Sequence, residues 1–312
     1  MTDEKTYDVL IVGLGPAGIT AAIYAARKQL QVLMIGDLPG GEVRNSGDIE
    51  NWPGGGETDG NTLADSFLAH LKLHDKEITQ VAGKVTTISK DGDAFTTLSD
   101  QGDAYTSKTV VYTAGRHPRE LGVPGEKDFK NLGVTYCATC DAPLFPDKDV
   151  VVVGGGNTGA EAVIMLMNIA TKIYLLHIED ALPADPILVS NFENSDKVEI
   201  IYEAATTKIE GETTVTSLSY KDKEGTEQKL DVQGVFIAIG AIPNTDPVKE
   251  LGVELNKFGA IVADRYGKTS VDGFFAAGDV TDIRDAQIVV AAGHGSSAAL
   301  SAGDYLSRLG GK

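Results

Sequence analysis

Residues 136–141 read YCATCD and contain the two cysteines of a 312-residue chain, Cys137 and Cys140. Two thiols at this spacing, with a carboxylate directly after the second, form either a redox device or half of a metal site. Two cysteines cannot form a disulfide framework in a chain of this length. In a reducing compartment a lone CxxC is more often catalytic or metal-binding than structural. The remaining sequence must therefore supply either electrons or further ligands.

It supplies nucleotide folds. An approximate internal repeat begins DVLIVGLGPAGITAAIYAARKQLQVLMIG at Asp8 and DVVVVGGGNTGAEAVIMLMNIATKIYLLH at Asp149. Each copy reads as a buried strand, a glycine-rich turn, a helix and a second strand, the βαβ unit of a parallel sheet. Gly13, Gly15 and Gly18 in the first copy, and Gly154, Gly156 and Gly159 in the second, give GxGxxG between strand and helix. The first glycine makes the tight turn, the second admits a pyrophosphate to the backbone, and the third lets helix and strand pack closely. The helix N-terminus favours the negative charge. The expected fold class is α/β, with two Rossmann-like, three-layer dinucleotide-binding domains. Two such folds beside one CxxC suggest a relay, for which a flavin is the natural middle carrier because it accepts a hydride and can reduce a disulfide.

Composition narrows the partners. The apolar share of 42% and aromatic share of 6% suit an ordinary globular protein. The formal net charge of −18 argues against nucleic acid or an anionic membrane, which the surface would repel. Apolar runs fall short of a membrane span, and Met1 to Thr6 carry no secretory n-region or cleavage site, so a soluble cytoplasmic protein is expected.

Between the repeats, LPGGEVRNSGDIENWPGGG reads as long loops over a ligand, followed by a helix at NTLADSFLAHLKLHD and strands at EITQVAGKVTTI, AFTTLSD and SKTVVYTAG. The chain changes domain near GRHPRELGVPGE. Strands such as KVEIIYEA, TTVTSLSYKD and LDVQGVFIAIG follow, the second fold ends at AIPNT, and a Gly/Ala/Ser-rich helix closes the chain. Trp52 reads equally as a packing residue over a loop and as a neighbour of the flavin.

YCATCDAPLF, both fingerprints, GGEVRNSGDIENWPG, TAG at Thr113, AIGAIPNT and GFFAAGDV occur together and in order. In this the chain resembles the low-molecular-weight thioredoxin reductases, a group that includes the flavoprotein part of alkyl hydroperoxide reductase. The resemblance implies a discontinuous FAD-binding domain, 1–116 plus 246–312, with a nicotinamide-binding-like domain, 117–245, inserted in it and carrying the CxxC. FAD would be held by Gly13, Gly15, Pro16, Ala17, Gly18, Asp37, Gly40, Gly41, Glu42, Asn51, Ala114, Gly115, Asp279, Gln287 and Ile288. Gly154, Gly156, Asn157, Thr158, Gly159 and Glu179 would meet a nicotinamide nucleotide.

Cys140 would be the flavin-proximal sulfur, Cys137 the interchange thiol, and Asp141 the acid–base group. Two small residues between the cysteines suit a disulfide at a helix start, where the dipole lowers a thiolate pKa. The zinc half-site loses ground here, because structural zinc usually takes four protein ligands. None of His70, His74, His117, His177 and His294 has CxxC-like spacing to another, so no metal is expected. The implied activity is that of a thioredoxin-disulfide reductase, the implied partner is thioredoxin or a similar small dithiol protein, and the implied assembly is a homodimer.

One segment departs from the family. NADPH-using members carry a basic cluster after the second strand of the nicotinamide fold; here the residues are LLHIEDALPAD, three acids and no Lys or Arg. Glu179 lies about 20 residues past Gly159, where a carboxylate binds a free ribose 2′-OH and repels a 2′-phosphate. The expected donor is NADH rather than NADPH. The same segment also reads as a solvated acidic loop, and with the altered Asp285, Ala286 and Gln287 it leaves room for a ferredoxin or a second flavin. The competing functions are an FAD-dependent dithiol oxidase using oxygen and a non-enzymatic redox-sensing flavoprotein.

Overall fold

A computed structural model describes residues 5–46 and 48–310. The chain runs β1 (Thr6–Val12), α1 (Pro16–Arg27), β2 (Val32–Gly36), a 3-10 turn at Gly41–Asn45, β3 (Asp48–Ile49), β4 (Thr58–Asp59) and α2 (Gly60–Leu71). Then follow β5 (Ile78–Ala82), β6 (Val85–Asp91), β7 (Ala94–Ser99), β8 (Ala104–Tyr112) and the connecting strand β9 (Arg116–Pro118). The middle segment comprises β10 (Val134–Thr135), α3 (Ala138–Asp141), β11 (Asp149–Val153), α4 (Asn157–Leu166), β12 (Lys172–Leu176), α5 (Pro186–Val189), β13 (Val198–Ile201), β14 (Ala205–Gly211), β15 (Val215–Lys221), β16 (Glu227–Asp231), β17 (Gly234–Ile237) and the connecting strand β18 (Ala241–Pro243). The chain closes with β19 (Phe274–Ala276) and α6 (Ile288–Gly310).

The chain divides into two compact units: residues up to His117 together with those from Ile242, and Pro118–Ala241 between them. In the first unit the strand order is β5-β2-β1-β8-β7-β6, with β19 also paired to β8. The β5, β2, β1, β8 and β19 pairings are parallel, while β6 and β7 join by antiparallel pairing. The period of two explains why β1 is continuously apolar. Val9 and Ile11 pack toward α1 and α6, whereas Leu10 and Val12 enter a second cluster with Leu33, Ile88, Phe95 and Phe274.

Small residues let α6 lie directly on α1: a Cβ on Gly295 would collide with the Ala17 carbonyl oxygen. That contact also fixes the first turn of α1, where the first fingerprint sits.

The middle unit repeats the plan on a five-stranded parallel sheet, β10-β17-β11-β12-β13. Val150 and Val152 face α4, Val151 and Val153 face a cluster with Leu218 and Val235, and the antiparallel sheet β14-β15-β16 covers that side. The stretch EITQVAGKVTTI is two strands rather than one, because Gly83, at φ +150°, separates β5 from β6. LDVQGVFIAIG likewise divides between β16 and β17. Trp52 packs edge-on against Phe67, ring centroids 5.1 Å apart, beside the small cluster of Val43, Ile49 and Leu63. Among the described residues, no helix is long and apolar enough to cross a membrane.

Candidate active site

The two cysteines are joined. Cys137 and Cys140 form a disulfide with Cα atoms 5.3 Å apart, Cys137 being the N-cap residue of the single helical turn α3. The Cys140 amide donates to Cys137 Sγ at 3.2 Å. Cys140 is exposed and Cys137 half-buried, so the sulfur pair stands at the surface of its unit.

Below the disulfide is a hydrogen-bonded support. The Thr135 hydroxyl accepts the Cys137 amide at 3.1 Å and donates to Asp141 Oδ2. Glu126, 1% exposed, accepts the amides of Leu121 at 2.8 Å and Gly122 at 2.7 Å and the Tyr136 hydroxyl at 2.9 Å. Burial, then the Glu126 carboxylate, push the Tyr136 phenol well above its ordinary range, so it stays a donor. Thr135 and Glu126 were not singled out by sequence reasoning, since neither belongs to a spaced motif.

In the first unit the fingerprint glycines have separate tasks. Gly13 sits at φ +106°, and a Cβ there would strike the Thr113 carbonyl; a Cβ on Gly18 would strike the Gly13 carbonyl. Gly15 is extended and its Cβ position is 3.7 Å from Gly41 Cα, an ordinary contact. Gly15, the N-cap of α1, is followed by Pro16 and Ala17, and no side chain caps the helix. By contrast, α2 is capped by Asp59, which accepts the Asn61 and Thr62 amides. An uncapped helix start over a bare glycine cradle fits a dinucleotide pyrophosphate.

The other residues expected around that cradle gather from distant segments. Gly40, at φ +94°, donates its amide to the Leu14 carbonyl at 2.9 Å, bringing Gly41 and Glu42 over the fingerprint. Arg44 ties this loop to α2 through the Pro39 carbonyl, Asn61 and Asp65. Asn51 donates to Gln287 at 3.3 Å, linking the first segment to the start of α6 at Ile288. Asn244 holds Ala114 and Gly115 through bonds of 2.7 and 3.0 Å to their carbonyls. Asp37, just past β2, is exposed and pairs with Lys84 at 3.4 Å.

Asp279 lies after β19, where Arg116 stands 3.7 Å from its carboxylate. Burial raises the Asp279 pKa, against the lowering effect of Arg116. His294 Nδ1 accepts the Gly278 amide at 3.2 Å and so fixes the turn that carries Asp279. Arg116, Asn244 and His294 carried no motif of their own, although Asn244 falls within the quoted AIPNT.

The second cradle, in the middle unit, matches the first. Gly154 is at φ +119° against the Ala238 carbonyl, Gly159 abuts the Gly154 carbonyl, and Gly156 meets nothing within 4 Å. Helix α4 also lacks a side-chain cap. Asn157 and Asp185 exchange hydrogen bonds of 2.9 and 2.8 Å, clasping the loop after β12 to the helix start, with Thr158 exposed beside them.

His177 is buried and its Nδ1 accepts the Gly155 amide at 3.2 Å, which leaves the proton on Nε2. That nitrogen lies 3.7 Å from the exposed Glu179 carboxylate. An open cleft of about 550 Å³ adjoins, lined by Asp180, Leu182, Pro186, Val189, Glu193 and Tyr202. From His177 to Asp196 the sequence has no Lys or Arg.

Comparison with known proteins finds relatives over nearly the whole chain. The chain is 41% identical over 307 residues to a protein named NADH dehydrogenase from Bacillus subtilis, covering 98% of this chain and 60% of that one. It is 42% identical over 308 residues to the F subunit of alkyl hydroperoxide reductase in Staphylococcus aureus, with the same coverage. The chain thus spans about 60% of the length of the curated relatives it matches. Among solved structures, thioredoxin reductase from Streptococcus pyogenes superposes with a TM-score of 0.92 at 37% identity, covering 98% of this chain and 100% of that one. Thioredoxin reductase from Giardia duodenalis gives a TM-score of 0.91 at 33% identity, covering 97% and 99%. The family model described as pyridine nucleotide-disulphide oxidoreductase matches residues 7–295, and the chain belongs to that family.

Proposed function

We propose that this chain is an FAD-dependent disulfide reductase that takes electrons from NADH and delivers them through Cys137 and Cys140 to the disulfide of a thioredoxin-like protein. The observation that carries the reading is a surface disulfide, with a carboxylate beside it, on one of two units that each present an uncapped, glycine-lined helix start. Bound FAD would supply a two-electron carrier that accepts a hydride and reduces a disulfide. Gly15, Ala17 and Gly41 would cradle its pyrophosphate, and Asp279 would accept a ribityl hydroxyl.

The chain's own residues manage sulfur and protons. Two electrons and two protons open the Cys137–Cys140 bond to a dithiol. The Cys137 thiol gives its proton to Asp141 and attacks a partner sulfur; the partner disulfide breaks and a mixed disulfide forms. Cys140 then attacks Cys137, the internal disulfide re-forms, and the partner leaves as a dithiol, one thiol carrying the proton Asp141 held and the other the proton given up by Cys140.

NADH is favoured over NADPH by charge. A 2′-phosphate beside Glu179 and Asp180 would meet two carboxylates on a loop that carries no Lys or Arg from His177 to Asp196. The name of the Bacillus subtilis relative, NADH dehydrogenase, points the same way. The test is anaerobic titration of the FAD-loaded protein with NADH and with NADPH, followed by flavin absorbance. Bleaching by NADH at far lower concentration supports the reading. A flavin left oxidised by both nucleotides rejects it and moves the search to a ferredoxin-type donor, and oxygen uptake driven by added dithiols would replace it with a dithiol oxidase.

A further inference from the structure

Thr135 touches both ends of the redox motif while lying outside it. It is 5% exposed, at the end of β10, where it pairs with Phe236 of β17 in the parallel sheet. A hydroxyl has one proton and two lone pairs, and a backbone amide can only donate. Because Oγ1 accepts the Cys137 amide at 3.1 Å, its proton is left for Asp141 Oδ2. The β-branched side chain is stiff about χ1, so the sheet fixes the direction of that proton.

We propose that Thr135 is the positioning residue for the acid–base group of this site, aiming the Asp141 carboxylate and stabilising its ionised form. The inference rests on the reading of Asp141 as the proton acceptor for Cys137. A hydrogen bond to the charged form of a carboxyl favours that form. Thr135 makes no bond to substrate; it sets how readily Asp141 takes the Cys137 proton, and it holds the backbone of the attacking residue in the same gesture. Cys137 and Cys140 share the short turn with Asp141, and next to them Glu126 and Lys130 engage the Tyr136 side chain.

The test measures dithiol–disulfide exchange against pH in the FAD-loaded protein, with a small disulfide-containing protein as acceptor. In Thr135→Val the acidic limb of the profile moves up by about one pH unit, a roughly fivefold loss of rate at the wild-type midpoint that approaches about tenfold at lower pH, the effect of losing one hydrogen bond to a charged group. Thr135→Ser restores the wild-type limb. Should Thr135→Val fold poorly, Thr135→Ala is the second variant without a hydroxyl, and it carries the same expectation. An unmoved limb in a folded hydroxyl-free variant, or Thr135→Ser behaving as Thr135→Val does, overturns the proposal. Asp141→Asn separates the two readings: if the wild-type limb survives in Asp141→Asn, it is the acid–base assignment of Asp141 that has failed.

Discussion

Substitution of Gly156 should separate binding from folding, with opposite signs. Its backbone is extended, φ −78° and ψ −178°, which any residue adopts, and its Cβ position meets nothing within 4 Å. It is also the N-cap of α4, whose first amides receive no side-chain cap. In Gly156→Ser the hydroxyl can cap one of those amides, and the serine has less backbone freedom to lose on folding. Together these stabilise the middle unit by about 1 kcal/mol. The same side chain stands where a pyrophosphate would approach and consumes an amide that would bind it. Losing one charge-assisted hydrogen bond weakens the nucleotide about tenfold to a hundredfold. Gly159→Ser is the contrast: its Cβ would collide with the Gly154 carbonyl oxygen, so overpacking costs about 1–3 kcal/mol. The assay pairs urea unfolding with NADH titration of the flavin, using dithionite to show that reduction from other donors persists. If Gly156→Ser bound NADH as the parent does, the second fingerprint would not be the nucleotide cradle; if it lost as much stability as Gly159→Ser, the open-cradle reading would fail.

Other outcomes follow from the same geometry. Gly295→Val should destabilise the first unit by about 3 kcal/mol or more, because α6 lies against the Ala17 carbonyl, and FAD retention on gel filtration should fall with it. His294 is held neutral by burial, which lowers its pKa from the ordinary 6.5 against the opposing influence of Asp264 and Asp282. Its contribution to stability is therefore full above about pH 6.5 and is lost as pH falls through that value toward the folded-state pKa. Urea midpoints at pH 7.5 and 5.5 should show this drop, and His294→Gln should flatten it. Glu126→Leu strips the acceptor from two amides and the Tyr136 hydroxyl, all around a buried carboxylate. A loss of about 2–4 kcal/mol is expected in the middle unit, measured by urea unfolding.

The two βαβ units, their glycine turns and the CxxC were legible because each is written in contiguous residues. A period of two along a strand, a period of 3.6 along a helix and a glycine where φ is positive are local requirements, and local chemistry shows in local sequence. The acidic character of the loop after β12 was legible for the same reason. Reading failed where the chain breaks a continuous apolar stretch, as at Gly83, since one backbone angle ends a strand without changing its composition.

The supports of the site depended on the fold. Asn51 meets Gln287, Asn244 holds Ala114, His294 holds the turn before Asp279, and Arg116 faces Asp279; each contact joins segments far apart in the chain. Thr135 and Asp141 are close in sequence, yet their bond depends on a strand end and a helical turn meeting at one angle. Sequence by itself determined which chemical groups this protein possesses and the local backbone that carries them. Tertiary structure alone decided which hydroxyl, carboxylate or amide serves which group, because hydrogen bonds act over about 3 Å and only the packed sheets and helices bring their partners that close.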